Sequence, residues 1–144
     1  MSVAPTPDRD SAPWWRALAD HRLTLQRCDT CGLRRWAPRA MCSGCGGFTW
    51  SWETAGGRGT VASWTVSHRA FLPGRPTPYV VLLVRLEEGE DLILPGGWDG
   101  PADGTGLRVG LPVVAGYHDL ETAAGAEEAD DAERASLLVW HAAD

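Results

Sequence analysis

The sequence predicts a mainly β protein with a short N-terminal helix, a ribbon of four cysteines around a metal, and a small five-stranded barrel. Three observations predict it. All four cysteines fall into one pattern, Cys28-x2-Cys31 and Cys42-x2-Cys45. Segments of alternating apolar and polar residues, the mark of half-buried strands, recur before and after them. A single stretch near the start has helical spacing.

Taken in order, residues 1–10 carry Pro5, Pro7 and mixed charge and read as a mobile arm. Ser11 before Ala12-Pro13 is a helix start, because Ser caps orphan amides and Pro suits the first turn. A helix over about 13–21 follows, with Trp14, Ala17 and Leu18 on one apolar face and Trp15 beside that stripe. So short a helix does not stand alone. Leu23-Thr24-Leu25-Gln26-Arg27 alternates into Cys28, and Phe48-Thr49-Trp50-Ser51-Trp52-Glu53 alternates again beyond Cys45. Strands therefore bracket the cysteines. After the turn Gly56-Gly57-Arg58-Gly59, strands are expected near Thr60–Arg69, Tyr79–Leu86, Asp91–Leu94, Pro112–His118 and Ser136–His141. The connections 72–78 and 95–106 are rich in glycine and proline and read as loops. Residues 121–133, acidic and alanine-rich, read as a solvated loop or a brief helix.

A C-x-x-C turn aims two thiolates at one point about 2.3 Å away, and two such turns close a tetrahedron around zinc. Each pair is followed by a glycine, Gly32 or Gly46, which lets the backbone turn back. Two disulfides or unrelated buried thiols are the alternative, disfavoured because a chain that reads as cytosolic favours metal over disulfide and the paired spacing is hard to reach by chance. Cys28, Cys31, Cys42 and Cys45 are thus the metal ligands. Zinc is the commoner structural choice, and iron in a rubredoxin-like site uses the same four sulfurs. A filled sphere leaves no open position for a water or substrate, so the expected site is structural. Arg27, Arg34, Arg35 and Arg39 are expected to offset its negative charge.

At 144 residues and 15.5 kDa the chain is one domain's worth, with 44% apolar residues to fill a core. The 13 basic residues are all arginine and face 19 acids, for a net charge of −6, which disfavours bulk polyanion binding. The charge divides by halves: residues 1–75 hold ten arginines and five acids, residues 76–144 three and fourteen. No run of 18 apolar residues exists, and Asp8, Arg9 and Asp10 stand where a secretory signal needs an apolar stretch. A cytoplasmic protein without a membrane segment is the expectation. Eight tryptophans against two phenylalanines and two tyrosines belong in a core or an interface.

No nucleophile signature accompanies the cysteines, and no G-x-S-x-G occurs. His68 closes the Trp64–Arg69 stretch and reads first as an ordinary edge histidine. Gly57-Arg58-Gly59 reads as a hairpin or barrel-entry turn; its functional variant has Arg58 and Arg69 as forks for the phosphates of a nucleotide-like ligand. A barrel joined to a ribbon also suits single-stranded nucleic acid, though the net charge opposes it.

Several motifs in order resemble the acyl-CoA-associated OB-fold family, whose N-terminal part is a rubredoxin-like zinc ribbon. They are Trp14-Trp15-Arg16-Ala17-Leu18, Leu25-Gln26-Arg27-Cys28, Cys31-Gly32, Pro38 before Cys42, and Cys45-Gly46. In the second half Gly57-Arg58-Gly59-Thr60-Val61, Ser63-Trp64-Thr65-Val66, Pro78-Tyr79-Val80 and Leu86-Glu87-Glu88-Gly89 continue the likeness over about 13–140. The stretches 95–106 and 121–133 depart from it.

The chain is accordingly read as an arm and helix over 1–22, a ribbon over 23–50 and an OB-fold barrel over 51–144 with an acidic loop near 121–133. The resemblance implies a non-catalytic companion of a thiolase, a lipid-transfer-protein-like aldolase or a hydratase acting on acyl-CoA thioesters, joined in a hetero-oligomer. Trp14, Trp15 and Leu18 would then meet the partner, while Arg58, His68 and Arg69 would help hold CoA. Steroid side-chain degradation is one setting for such proteins. The alternatives are a single-stranded nucleic-acid module, betrayed by salt-dependent binding, and a small independent enzyme active as the purified chain.

Overall fold

Asp8 and Ser11 close a reciprocal turn, the Ser11 amide donating to Asp8 Oδ1 at 2.7 Å and the Asp8 amide to Ser11 Oγ at 3.1 Å. The computed structural model, which describes residues 4–121 and 134–144, thus moves the expected cap one turn earlier. Ser11 makes no side-chain cap on α1 (Ala12–Ala19). Its hydroxyl serves the preceding turn, so part of the expected mobile arm is folded onto the helix start. The helix ends before His21, which takes a left-handed φ of 58°.

That residue fastens the helix to the rest of the chain. His21 Nε2 lies 2.8 Å from Asp119 Oδ1, its ring stacks on Tyr117 at 5.0 Å, and the Ser136 hydroxyl donates to the same Asp119 oxygen.

The ribbon is a three-stranded antiparallel sheet with β1 (Thr24–Cys28) between β2 (Arg34–Arg35) and β3 (Trp50–Thr54). Gln26 pairs with Arg35 on one side and Trp52 on the other, and Cys28 with Trp50. Because β3 pairs with β1, residues 51–54 finish the ribbon sheet. The barrel strands begin at Arg58, later than the expected boundary at 51.

The barrel closes in the order β4-β5-β6-β8-β7, with β4 (Arg58–Ser67), β5 (Tyr79–Leu86), β6 (Ile93–Trp98), β7 (Pro112–Asp119) and β8 (Ser136–Ala142). Five strands were predicted and five form it. Strand β5 alternates as its sequence requires, Val80, Leu82, Val84 and Leu86 turning inward. Strand β6 differs from expectation: it runs through Pro95-Gly96-Gly97 to Trp98, where the sequence predicts a loop. The local breaker signal is overridden by packing, since a Cβ on Gly96 would lie 2.6 Å from Trp140 Nε1 inside the barrel. Strand β6 meets β8 in parallel at Gly97–Val139 and Trp98–Trp140.

Leu82, Val84, Leu94, Val113 and Trp140 fill the barrel, and Trp14, Leu18, Leu23 and Leu25 join the same buried cluster. Helix, ribbon and barrel thus share one core. The acidic stretch 121–133 lies outside the described residues apart from Glu121.

Candidate functional site

The two cysteine turns are built alike. Gly32 and Gly46 both take φ of 76°, and their amides donate to the Cys28 and Cys42 carbonyls, each at 2.9 Å. Only glycine adopts that conformation without strain. The turns face each other, so that Cys28 Sγ lies 3.6 Å from Cys45 Sγ and Cys31 Sγ 3.6 Å from Cys42 Sγ, with all four sulfurs within 4.8 Å of one another.

A tetrahedral ion with bonds of about 2.3 Å sets its sulfurs about 3.8 Å apart, so the group fits. The electrostatics fit as well. The Cys31 and Thr30 amides, against burial, draw the Cys28 thiol down to about 6, and the Cys45 and Gly44 amides lower that of Cys42. Against the donation from the Gly47 amide, the three neighbouring sulfurs and burial push the Cys45 thiol up to about 11. Four thiolates at this spacing repel one another, and a divalent cation at their centre removes that conflict.

The expected ring of arginines is not how the charge is balanced. Arg34 forms a two-pronged bond to Glu53 at 2.7 and 3.0 Å. Arg35 is buried beneath the ribbon, its Nε donating to Gln26 Oε1 at 2.9 Å and Nη2 to the Arg39 carbonyl at 3.0 Å. Arg27 is the one whose guanidinium folds back over the Gly32 turn.

The remaining candidates separate. Arg58 opens β4, while His68 and Arg69 follow its far end, ten residues or about 30 Å along the strand. Of the residues expected at a partner interface, Leu18 and Trp14 are buried in this chain's own core and Trp15 is half-buried. The helix face is apolar because the barrel covers it.

A groove of about 700 Å³ opens beside them. Trp14, Trp15 and Trp36 form one wall, Trp14 meeting the other two edge-on at 4.8 and 5.7 Å. The proline-rich 72–78 connection and Tyr79 form another, with the Arg75 guanidinium 3.8 Å over the Tyr79 ring. Its floor includes Val81 and Gly97 on the outer face of β5 and β6. These are the second and third barrel strands, whose outer face takes oligonucleotides and oligosaccharides in OB-folds.

Sequence reasoning missed this groove because its residues are scattered over more than a hundred positions. The surplus of tryptophan was the signal for it.

Residues 15–51 match the family described as the ChsH2 rubredoxin-like zinc ribbon domain, and residues 52–118 that of the ChsH2 C-terminal OB-fold domain. A probable enoyl-CoA hydratase alpha subunit of Thermomonospora curvata is 38% identical over 117 residues, covering 81% of this chain and 36% of the relative. The 3-oxo-4,17-pregnadiene-20-carboxyl-CoA hydratase alpha subunit of Mycobacterium tuberculosis is 34% identical over 124 residues, covering 82% and 37%. The chain thus spans about a third of the length of these curated relatives. A chain of the Ltp2-ChsH2(DUF35) aldolase superposes with a TM-score of 0.78 at 34% identity, over 97% of this chain and 99% of that one. A DUF35-family protein of unknown function from Sulfolobus solfataricus, 14% identical over 94% of this chain and 86% of its own with a TM-score of 0.58, shares the fold. With both halves matched and a solved relative covered end to end, the chain belongs to the ChsH2 (DUF35) family of zinc-ribbon OB-fold proteins.

Proposed function

We propose that this chain is the accessory part of an acyl-CoA-processing enzyme: it docks on a thiolase-superfamily aldolase, or on a hydratase subunit, and helps hold the acyl-CoA thioester at the partner's active site. The observation that carries this reading is the end-to-end likeness to a chain of the Ltp2-ChsH2(DUF35) aldolase. The hydratase alpha subunits among its relatives support the same substrate class.

In this reading the chemistry resides in the partner. The four thiols converge on one another, and among the described residues lining the groove there is no Ser, Cys, Asp or Glu. Zinc at the cysteines would fix the ribbon and supply no reaction step, since four sulfurs complete its sphere. The ion is zinc rather than iron because a structural site calls for a redox-inert metal, and a reducing cytoplasm keeps such thiols available.

Docking falls to Trp15 and to the exposed Leu33, Met41 and Phe48 around the cysteine turns, in place of Trp14 and Leu18. Of the three proposed CoA contacts, His68 and Arg69 stay, because they lead into the loop that walls the groove; Arg58, at the other end of β4, does not.

Purification of the tagged protein from its native cell, followed by mass spectrometry, tests the reading. An aldolase or hydratase subunit recovered in stoichiometric amount is expected. A solitary chain, or one carrying nucleic acid, would overturn it.

A further inference from the structure

We infer that Cys31 and Cys45 are sites of oxidative modification: a hydroperoxide joins them to Cys42 and Cys28 in two disulfides that run between the cysteine turns, expels the ion and deforms the face proposed for docking. This deepens the proposed function and rests on it for the partner alone.

The two turns face each other head to tail. Each begins with a buried cysteine, Cys28 or Cys42, and ends with an exposed one, Cys31 or Cys45. Both 3.6 Å contacts therefore join an exposed sulfur of one turn to a buried sulfur of the other, Cys31 to Cys42 and Cys45 to Cys28. An accessible thiolate with a second thiol at such range is the arrangement in which oxidation stops at a disulfide.

Two glycines leave those pairs bare. A Cβ on Gly44 would stand 3.7 Å from both Cys31 Sγ and Cys42 Sγ, and one on Gly47 would stand 3.3 Å from Cys45 Sγ and 3.8 Å from Cys28 Sγ. Unlike Gly32 and Gly46, neither has a left-handed φ, and the atoms nearest to either Cβ belong to side chains. Backbone conformation does not demand glycine at these places. A side chain there would cover a sulfur pair.

Charge favours the same reaction. Four thiolates around a divalent ion keep a net negative charge. The ribbon's arginines leave most of it standing, since Arg34 is bonded to Glu53, Arg35 to Gln26 and Arg39 to the Ala37 carbonyl, with Arg27 against the Gly32 turn. Exposed sulfur of thiolate character is what a peroxide oxidises.

In each pair the exposed thiolate attacks one peroxide oxygen and the O–O bond breaks. The departing oxygen takes a proton and leaves as water, and the sulfur becomes a sulfenic acid. The buried thiolate then attacks that sulfur; the S–S bond forms and the hydroxyl, with a proton from solvent, leaves as a second water. Each pair thus gives two electrons to one peroxide, and sulfurs bound to each other no longer hold the ion. Closing a pair from 3.6 Å to about 2.05 Å shifts the turns. It disturbs Leu33, whose Cδ2 lies against Gly44 beside the Cys31–Cys42 pair, and Met41, the neighbour of Cys42.

Hydrogen peroxide added to the metal-loaded full chain tests this, with ion release followed by a chromogenic zinc chelator, intact mass and tryptic mapping. Trypsin cuts after Arg27, Arg34, Arg39 and Arg58, so Cys28 and Cys31 share one peptide and Cys42 and Cys45 another. Release of the ion by about two peroxides per chain is expected, with the two peptides joined, no oxygen left on sulfur, and recovery on adding dithiothreitol and zinc. Gly44→Ala removes no ligand; it should keep the metal and slow release about threefold or more. The oxidised chain should capture the aldolase or hydratase subunit about tenfold more weakly.

Retention of the ion under peroxide would overturn the inference, as would disulfides confined to single peptides or sulfurs that end as sulfinic acids. Gly44→Ala and Gly47→Ala chains that hold metal and oxidise at the wild-type rate would overturn it too, and so would undiminished capture of the partner by the oxidised chain. An untreated chain that captures no partner would count against the proposed function alone, because ion release and mapping need none.

Discussion

Asp119 joins three elements through one oxygen, taking the Ser136 hydroxyl and the His21 imidazole together. Those two bonds hold its carboxyl below the ordinary value of 3.8. A pKa lower in the folded state means that the unfolded chain takes up protons first, so the clamp contributes fully above that value and is lost as pH falls through the folded one. The group is largely exposed, which limits its worth to about 1 kcal/mol. Asp119→Asn is expected to lower the Tm by about 2–4 °C at pH 7 and to flatten the loss of stability below pH 4; an unaltered acid limb would show that the clamp is idle. Leu18 belongs to the other extreme. It is fully buried, so Leu18→Ala should cost about 2–5 kcal/mol in a denaturant titration, where a residue held for a partner would cost the isolated chain little. The spacing of Trp14, Ala17 and Leu18 showed that this face must be covered. It did not show by what, because an amphipathic stripe is the same whether its cover is the chain itself or another molecule.

Among the elements, the ribbon depends most on something outside its own sequence. Strand β2 has two residues, too few for any periodicity, and its pairing follows from the Cys28–Leu33 turn rather than from a pattern. Metal binding there is therefore folding free energy. Cys42→Ser is expected to release the ion, measured by elemental analysis, and to lower the Tm; full metal content with unchanged melting would refute the assignment. The cysteine turns were legible because spacing alone defines them, and β5 because its alternation is uninterrupted over Tyr79–Leu86. Strand β6 was legible only at its start. Proline and glycine carry the same signal in a loop as in a strand whose neighbours leave no space, and the space is set by Trp140, some forty residues on.

At the scale of the whole molecule, Leu23 and Leu25 from the ribbon and Trp14 and Leu18 from the helix lie in one cluster with the barrel residues. Calorimetry of the metal-loaded chain is expected to show a single transition, and two separate ones would mean that the lobes fold independently. The five-strand barrel and the ribbon were readable from local pattern, whereas the groove was not, since closure of the barrel is what brings Trp36, Arg75 and Gly97 to one place. That closure is uneven. Strand β7 pairs with β8 over seven residue pairs, while β6 and β8 meet in parallel at only two. The amides along this short seam are therefore expected to be the first in the barrel to trade their hydrogens for deuterium, through a local opening that costs less than global unfolding. Since Gly97 sits on that seam, the slowing of exchange at Gly97, Trp98 and Val139 would report, residue by residue, whatever comes to rest against the barrel there.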